Sequence, residues 1–168
     1  MADRYEIYLV RHGVAEERGE AWPDDAKRPL TDEGMSRMRK AVRGLARVGV
    51  SFDVVLCSPL VRAKQTADIV AAGLSPRPSI VTIESLSPGG GFAAIAADLA
   101  RHAKKTRIAL VGHEPGIGEL AARLIGSRRA IAFKKGAVCR IDLDALPPHG
   151  PGDLRWLLTP RMMRAMRK

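Results

Sequence analysis

Cysteines, aromatic rings, acidic residues and long apolar runs are all scarce in this chain, and each shortage excludes something. Cys57 and Cys139 lie far apart in sequence, with no C-x-x-C pair and no paired-histidine spacing, so neither a disulfide framework nor a zinc site is indicated. Both read as reduced, buried thiols. Aromatic residues make up 4% of the sequence, which leaves few platforms for stacking bases, and no nucleic-acid-binding motif stands among them. The polar opening Met1-Ala2-Asp3-Arg4 meets an apolar stretch of only a few residues. That stretch is too short for a signal peptide or a membrane span, so a cytoplasmic protein with no membrane contact is expected. Acidic residues number 18 against 28 Lys plus Arg, a formal charge of +10, and the surrounding field attracts anions. With stacking platforms scarce, phosphorylated or acidic partners are expected rather than nucleic acid.

What is present suits one domain over residues 1–168, since at 46% hydrophobic content the chain can bury a core without staples. Short β-branched runs alternate with longer amphipathic stretches. Glu6–Val10, Val54–Cys57, Ser79–Ile83 and Arg107–Val111 read as strands. Between them Thr31 is placed to cap a helix whose apolar positions Met35, Met38, Val42 and Leu45 keep helical spacing until Gly49. Further helices are expected over Val61–Ala72, Phe92–Ala103 and Ile117–Ile125, the last closed by Gly126. The alternation predicts an α/β fold: a mostly parallel sheet covered by helices on both faces, with ligands at the carboxyl ends of the strands. Ala137–Leu143 and Asp153–Leu158 are expected to add two strands, one of them antiparallel. The segment Val14–Pro29 is the longest loop near the first strand. The basic, methionine-rich C-terminus reads as a short capping helix.

The polar residues of interest sit at three of the strand ends. The first strand closes on Arg11-His12-Gly13, the second on Ser58-Pro59-Leu60-Val61-Arg62, and the fourth on Gly112-His113-Glu114-Pro115. In a doubly wound sheet these ends share one rim, so two arginines and two histidines surround a single tetrahedral anion. A neutral imidazole is a competent nucleophile toward phosphorus, because its ordinary pKa of about 6.5 leaves a lone pair free near neutrality. His12 is therefore the expected nucleophile. Arg11 and Arg62 can donate paired N–H bonds to the phosphoryl oxygens, and His113, if protonated, adds a third cationic donor. Ser58 and Gly13 join Arg11 and Arg62 as expected substrate contacts. The expected reaction is phosphoryl transfer to His12 followed by hydrolysis, with no metal and no cofactor.

Arg11-His12-Gly13, Arg62-Ala63-x-x-Thr66 after Ser58-Pro59, and Gly112-His113 resemble the signature of the histidine phosphatase superfamily, which includes phosphoglycerate mutases and acid phosphatases. The smaller phosphohistidine phosphatases of SixA type are more similar still. They share Arg28-Pro29-Leu30-Thr31-x-x-Gly34, Gln65 before Thr66, Leu86-Ser87-Pro88-x-Gly90 and Trp156-x-x-Thr159-Pro160. The resemblance runs nearly the full length. It implies a three-layer, phosphoglycerate mutase-like architecture, a covalent phosphoryl group on His12, and Arg11, Arg62 and His113 as its ligands. Larger relatives use a carboxylate after the third strand as proton donor to an alkoxide leaving group, and Glu84 is the nearest candidate here. An imidazole leaves more easily than an alkoxide, so a weak acid position favours phosphohistidine on a signalling or phosphotransfer protein as substrate. A monomer is expected.

Other readings predict different behaviour. A small-molecule phosphomonoesterase or a mutase fits the same fold, although no long insertion is present to form the lid a mutase needs. A basic polyanion-binding scaffold predicts salt-sensitive binding that survives loss of His12. A thiolate phosphatase loop built on Cys57 and Arg62 has only four residues between them and carries Pro59 in place of glycine, so its amides are poorly placed to ring a phosphate. Gly89-Gly90-Gly91 lacks the Lys-Ser/Thr of a phosphate-binding loop and reads as a turn.

Overall fold

A computed structural model of the chain describes residues 4–167. The first strand, β1 (Tyr5–Arg11), is apolar through its middle because both of its faces are covered. Ile7 and Leu9 point into one core, and Tyr8 and Val10 into the other. β2 (Val54–Cys57) is buried throughout, followed by β3 (Ser79–Thr82) and β4 (Arg107–Gly112). These four strands run parallel, and β4 inserts between β1 and β2. β5 (Val138–Leu143) pairs antiparallel with β1, and β6 (Asp153–Leu158) pairs antiparallel with β5. The sheet order is β3-β2-β4-β1-β5-β6, with β5 the one strand running against the rest.

Helices cover both faces, which makes the three-layer α/β architecture expected from the sequence. On one face lie α1 (Asp32–Arg47), α2 (Val61–Gly73) and the short α5 (Pro160–Ala165). Met38, Val42 and Leu45 of α1, Ala67 and Val70 of α2 and Met163 of α5 meet Tyr8 and Val10 there. On the other face α3 (Phe92–Arg101) and α4 (Gly116–Ile125) bring Ile95, Leu99, Leu120 and Leu124 against Ile7 and Leu9. Thr31 caps α1 as expected, its hydroxyl accepting from the Gly34 amide at 2.8 Å. α4 ends on Gly126, whose φ of 72° is the left-handed closing conformation. β3 stops at Thr82, one residue before the expected end, because Ile83 leads into a tight turn over Glu84–Leu86. Among the described residues no helix is long and apolar enough to cross a membrane.

The contact between α1 and α5 sets where the C-terminal cations sit. Gly44 permits it, since a Cβ built on that residue would lie 1.8 Å from the carbonyl oxygen of Met163. Backbone, rather than a flexible side chain, is in the way. Gly44→Ala is therefore expected to destabilise the fold by about 1–3 kcal/mol, the usual range for overpacking, read as a lower urea midpoint. Gly91→Ala, at a position where nothing lies within 4 Å of an added Cβ, is the matched control and is expected to leave the midpoint near wild type.

Candidate active site

Strand register brings the polar ends together. Arg11 pairs with Gly112 across β1 and β4, and Cys57 pairs with Val111 across β2 and β4. The residues one step beyond, His12, Ser58 and His113, therefore emerge side by side at the carboxyl edge. The His12 amide donates to Gly112 O and the Ser58 amide to Val111 O, each at 3.1 Å, so the ladder extends one rung into the site. The two imidazole rings stand 5.1 Å apart between centroids. Arg11, His12, Arg62 and His113 all line one cleft of about 390 Å3.

His12 is held by its own turn. Its Nδ1 lies 2.7 Å from Gly13 O, and because a carbonyl can only accept, Nδ1 carries the proton and Nε2 the free lone pair. Gly13 is fixed in turn by Thr66, whose hydroxyl accepts from the Gly13 amide and donates to Arg62 O. Burial is the main reason the His12 pKa falls to about 3, with the charges of Arg62 and Arg11 adding to it. His12 is thus a neutral imidazole across the physiological range. His113 is lowered to about 4, again chiefly by burial and then by Arg62. At neutral pH this ring is therefore neutral rather than the cationic donor that protonation would make it, and its Nε2 is hydrogen-bonded to Ser58 Oγ at 2.7 Å.

Ser58 and Gly13, expected as substrate contacts, stand behind the imidazoles. Ser58 is fully buried and Gly13 supplies the carbonyl that orients His12. They position the rings without lining the cleft.

Arg62 occupies the second position of α2 and is 1% exposed, one of the largest fully buried side chains in the protein. Its guanidinium donates to the backbone oxygen of Asp25 at 2.8 Å and to the Asp25 carboxylate at 2.9 Å. Arg28 reaches the other carboxylate oxygen at 2.8 Å and Glu16 O at 2.7 Å. Burial works against ionising Asp25, but its hydrogen bond from Arg28 and the charge of Arg62 outweigh it and hold the carboxyl below its usual range. The loop Val14–Pro29 is therefore part of the site. It contributes Arg28 and the clamp residue Asp25, neither of which was assigned a role from the sequence, although Arg28 opens the Arg-Pro-Leu-Thr motif. Lys135, from the loop before β5, adds another cation to the cleft.

Three buried polar side-chain atoms have no hydrogen-bond partner among the described residues: Arg11 Nε, Arg62 Nε and His113 Nδ1. All three belong to side chains of this one cleft. A buried polar atom left unpaired costs about 1–3 kcal/mol, and the side chains that bear this cost all line the same cleft.

Glu84 is elsewhere. It is exposed in the turn after β3, 3.4 Å from Ser87 Oγ, and lines a separate groove with Asp98 and Arg101. Glu114 does reach the cleft, but its two oxygens accept the amides of Gly118 and Phe133. Cys57 is fully buried, and burial raises its thiol pKa, the opposite of what a thiolate nucleophile requires.

The description "Histidine phosphatase superfamily (branch 1)" matches residues 7–87, which hold Arg11, His12, Arg28 and Arg62. An uncharacterized protein of Picosynechococcus sp. is 33% identical over 165 residues, covering 94% of this chain and 98% of its own length. The phosphohistidine phosphatase SixA of Escherichia coli is 27% identical, covering 92% of this chain and 94% of its own. A solved structure of the protein histidine phosphatase SixA complexed with tungstate superposes with a TM-score of 0.82 at 26% identity, over 93% of this chain and 97% of that one. The alpha-ribazole phosphatase of Shigella flexneri shares the fold, with a TM-score of 0.68 at 23% identity over 92% and 96% of the two chains. The family match over the first half of the chain and the near-full-length similarity to SixA in sequence and in fold together show that this chain belongs to the histidine phosphatase superfamily.

Proposed function

We propose that this phosphatase hydrolyses phosphohistidine carried by a protein, by way of a phosphoryl group bound covalently to His12. The observation that carries the reading is the grouping of Arg11, Arg62 and His113 with a neutral His12 around one cleft, the two imidazole rings 5.1 Å apart. The fit of a tetrahedral oxyanion, tungstate, to the similar SixA structure supports the same reading.

The phosphoryl group settles against Arg11, Arg28 and Arg62, whose charge balances its oxygens without reorganisation during transfer. The His12 Nε2 lone pair forms the new P–N bond as the P–N bond to the substrate imidazole breaks. The departing ring keeps that electron pair and takes a proton from water. Water then attacks the phosphorus of phospho-His12, its proton passes to solvent, and inorganic phosphate leaves with His12 restored. The substrate preference follows from the leaving group. An alkoxide needs a positioned acid, whereas Glu84 lines a separate groove, Glu114 is held by the amides of Gly118 and Phe133, and the other carboxylates of the cleft, Glu16 and Glu17, belong to the Val14–Pro29 loop. An imidazole departs without one.

Labelling with phosphohistidine substrate and quenching in alkali is expected to leave alkali-stable phosphate on His12. His12→Ala is expected to lose the label and at least about 10^3-fold in kcat/KM with the fold intact, and Arg62→Ala about 10^2- to 10^3-fold. Label on another residue overturns the mechanism. Faster turnover of phosphoserine or a sugar phosphate than of phosphohistidine overturns the substrate choice.

The depressed histidines also fix a pH signature. Nitrogen chemical shifts of the His12 ring are expected to stay constant from about pH 8 to about pH 5, and a midpoint near the ordinary value of about 6.5 refutes the assignment. The unfolded chain binds protons on both rings below about 6.5, while the folded protein does so only near 3 and 4. Stability is thus lost as pH falls through that window, by up to about 1.4 kcal/mol per unit for each ring. His12→Asn/His113→Asn is expected to show a shallower acid loss than wild type in urea unfolding.

A further inference from the structure

Beyond Arg11 the rim of the cleft opens into a second groove, of about 600 Å3, reaching from β1 to α5. Six cations line it: Arg11, Arg37, Lys134, Lys135, Arg161 and Arg164. No acidic side chain does. Arg37 is paired with Glu33 on the outer turn of α1, and among the described residues none of the other five is in an ion pair. The two sites are continuous, because Arg11 and Lys135 line both.

The groove is assembled by the fold from three separated segments. Gly136, at φ 81°, donates its amide to the carbonyl oxygens of Arg11 at 3.1 Å and His12 at 2.9 Å. These bonds pin Lys134 and Lys135 beside the nucleophile. A Cβ on Gly136 would come within 3.2 Å of the Pro160 ring and 3.3 Å of the Met38 sulfur, so the basic loop lies directly against side chains of α1 and α5 at this point. Met163, fully buried against α1, anchors the turn that carries Arg161 and Arg164.

We propose that this groove holds an acidic segment of the protein substrate, carboxylates flanking the phosphorylated histidine, and so selects which phosphohistidine is hydrolysed. The inference rests on the phosphohistidine reading above. Unpaired cations on one side of a reactive cleft steer and retain a negatively charged partner. The groove has no aromatic residue on which a base could stack, while Val14, Met38 and Pro160 offer an apolar floor for side-chain stems. An acidic peptide is the polyanion that matches both features.

Two synthetic peptides of equal length test this, each with one phosphohistidine, one flanked by Asp and Glu and the other by Ser and Gln. At about 0.01 M salt the acidic peptide is expected to show a kcat/KM about 10-fold or more above the neutral one, with the advantage shrinking toward about 0.5 M salt. In Arg161→Glu/Lys134→Glu, both positions being exposed, the preference is expected to vanish while turnover of the neutral peptide and of phosphoramidate stays at the wild-type rate. Equal kcat/KM for the two peptides at low salt overturns the proposal, as does a preference that survives the charge reversal. A single-stranded oligonucleotide that outcompetes the acidic peptide for wild type overturns it in favour of a nucleic-acid groove. Failure to turn over either peptide or phosphoramidate indicts the phosphohistidine reading instead, so the two inferences fail separately.

Discussion

A guanidinium buried at the carboxyl edge of the sheet is the constraint around which the rest of the site is arranged. Arg62 is 1% exposed, and an uncompensated charge at such a place would cost several kcal/mol. Asp25 compensates part of that cost, accepting from Arg62 at both its carboxylate and its backbone oxygen. To do so the Val14–Pro29 loop must fold down over the cleft, where a short 3-10 turn over Asp25–Lys27 and the second arginine, Arg28, hold it. The compensation is incomplete, since one guanidinium nitrogen of Arg62 remains without a partner. The same charge reaches the histidines and helps keep both of them neutral. Loop order and the positive field of the cleft follow from one buried cation, which also adds to the burial that keeps the imidazoles neutral.

Those consequences divide the chemical labour cleanly. Guanidinium groups stay charged at any accessible pH and so supply a fixed positive field. The imidazoles, desolvated and repelled by that field, stay neutral until the pH falls to about 4 and below. His12 therefore needs no neighbouring base to free its lone pair, unlike a serine nucleophile, and its one ring proton is spent on Gly13 O to aim the ring. A dianionic phosphoryl group changes the balance for His113. Bringing negative charge against it offsets the arginine repulsion and favours protonation, so the cationic donor expected from the sequence is a state that substrate itself would create.

The strand ends were legible in the sequence because they obey local rules. Arg11-His12-Gly13 closes a continuous apolar run, Thr31 and Gly126 mark helix ends, and parallel strands necessarily share a carboxyl rim. What was not legible depends on contacts without periodicity. Asp25 sits in a loop whose acidic residues, Glu16, Glu17, Glu20, Asp24 and Asp25, are alike in sequence, and only the fold shows which one meets Arg62. Glu84, the nearest acid candidate, follows β3 as expected, but Ile83 turns the chain one residue early and the carboxylate lines a different groove. Ser58 was read as a ligand contact because it is polar at a strand end, whereas the ladder bond to Val111 O draws it beneath His113.

The basic groove is legible neither in composition nor in any one segment. A charge of +10 spread evenly over the surface would give a weak, undirected attraction. The β5–β6 hairpin changes that by returning the chain across the sheet edge, so that α5 lands on α1 beside the loop leading into β5. Arg161 and Lys134, distant in sequence, then face one groove that shares Arg11 and Lys135 with the cleft holding His12. Gly44 and Gly136 carry the cost of this closure, each at a point where a side chain would push backbone or core apart. Close packing is here what converts net charge into a directed field, because a cation displaced by a Debye length of about 8–10 Å would be largely screened from the anion it is meant to hold.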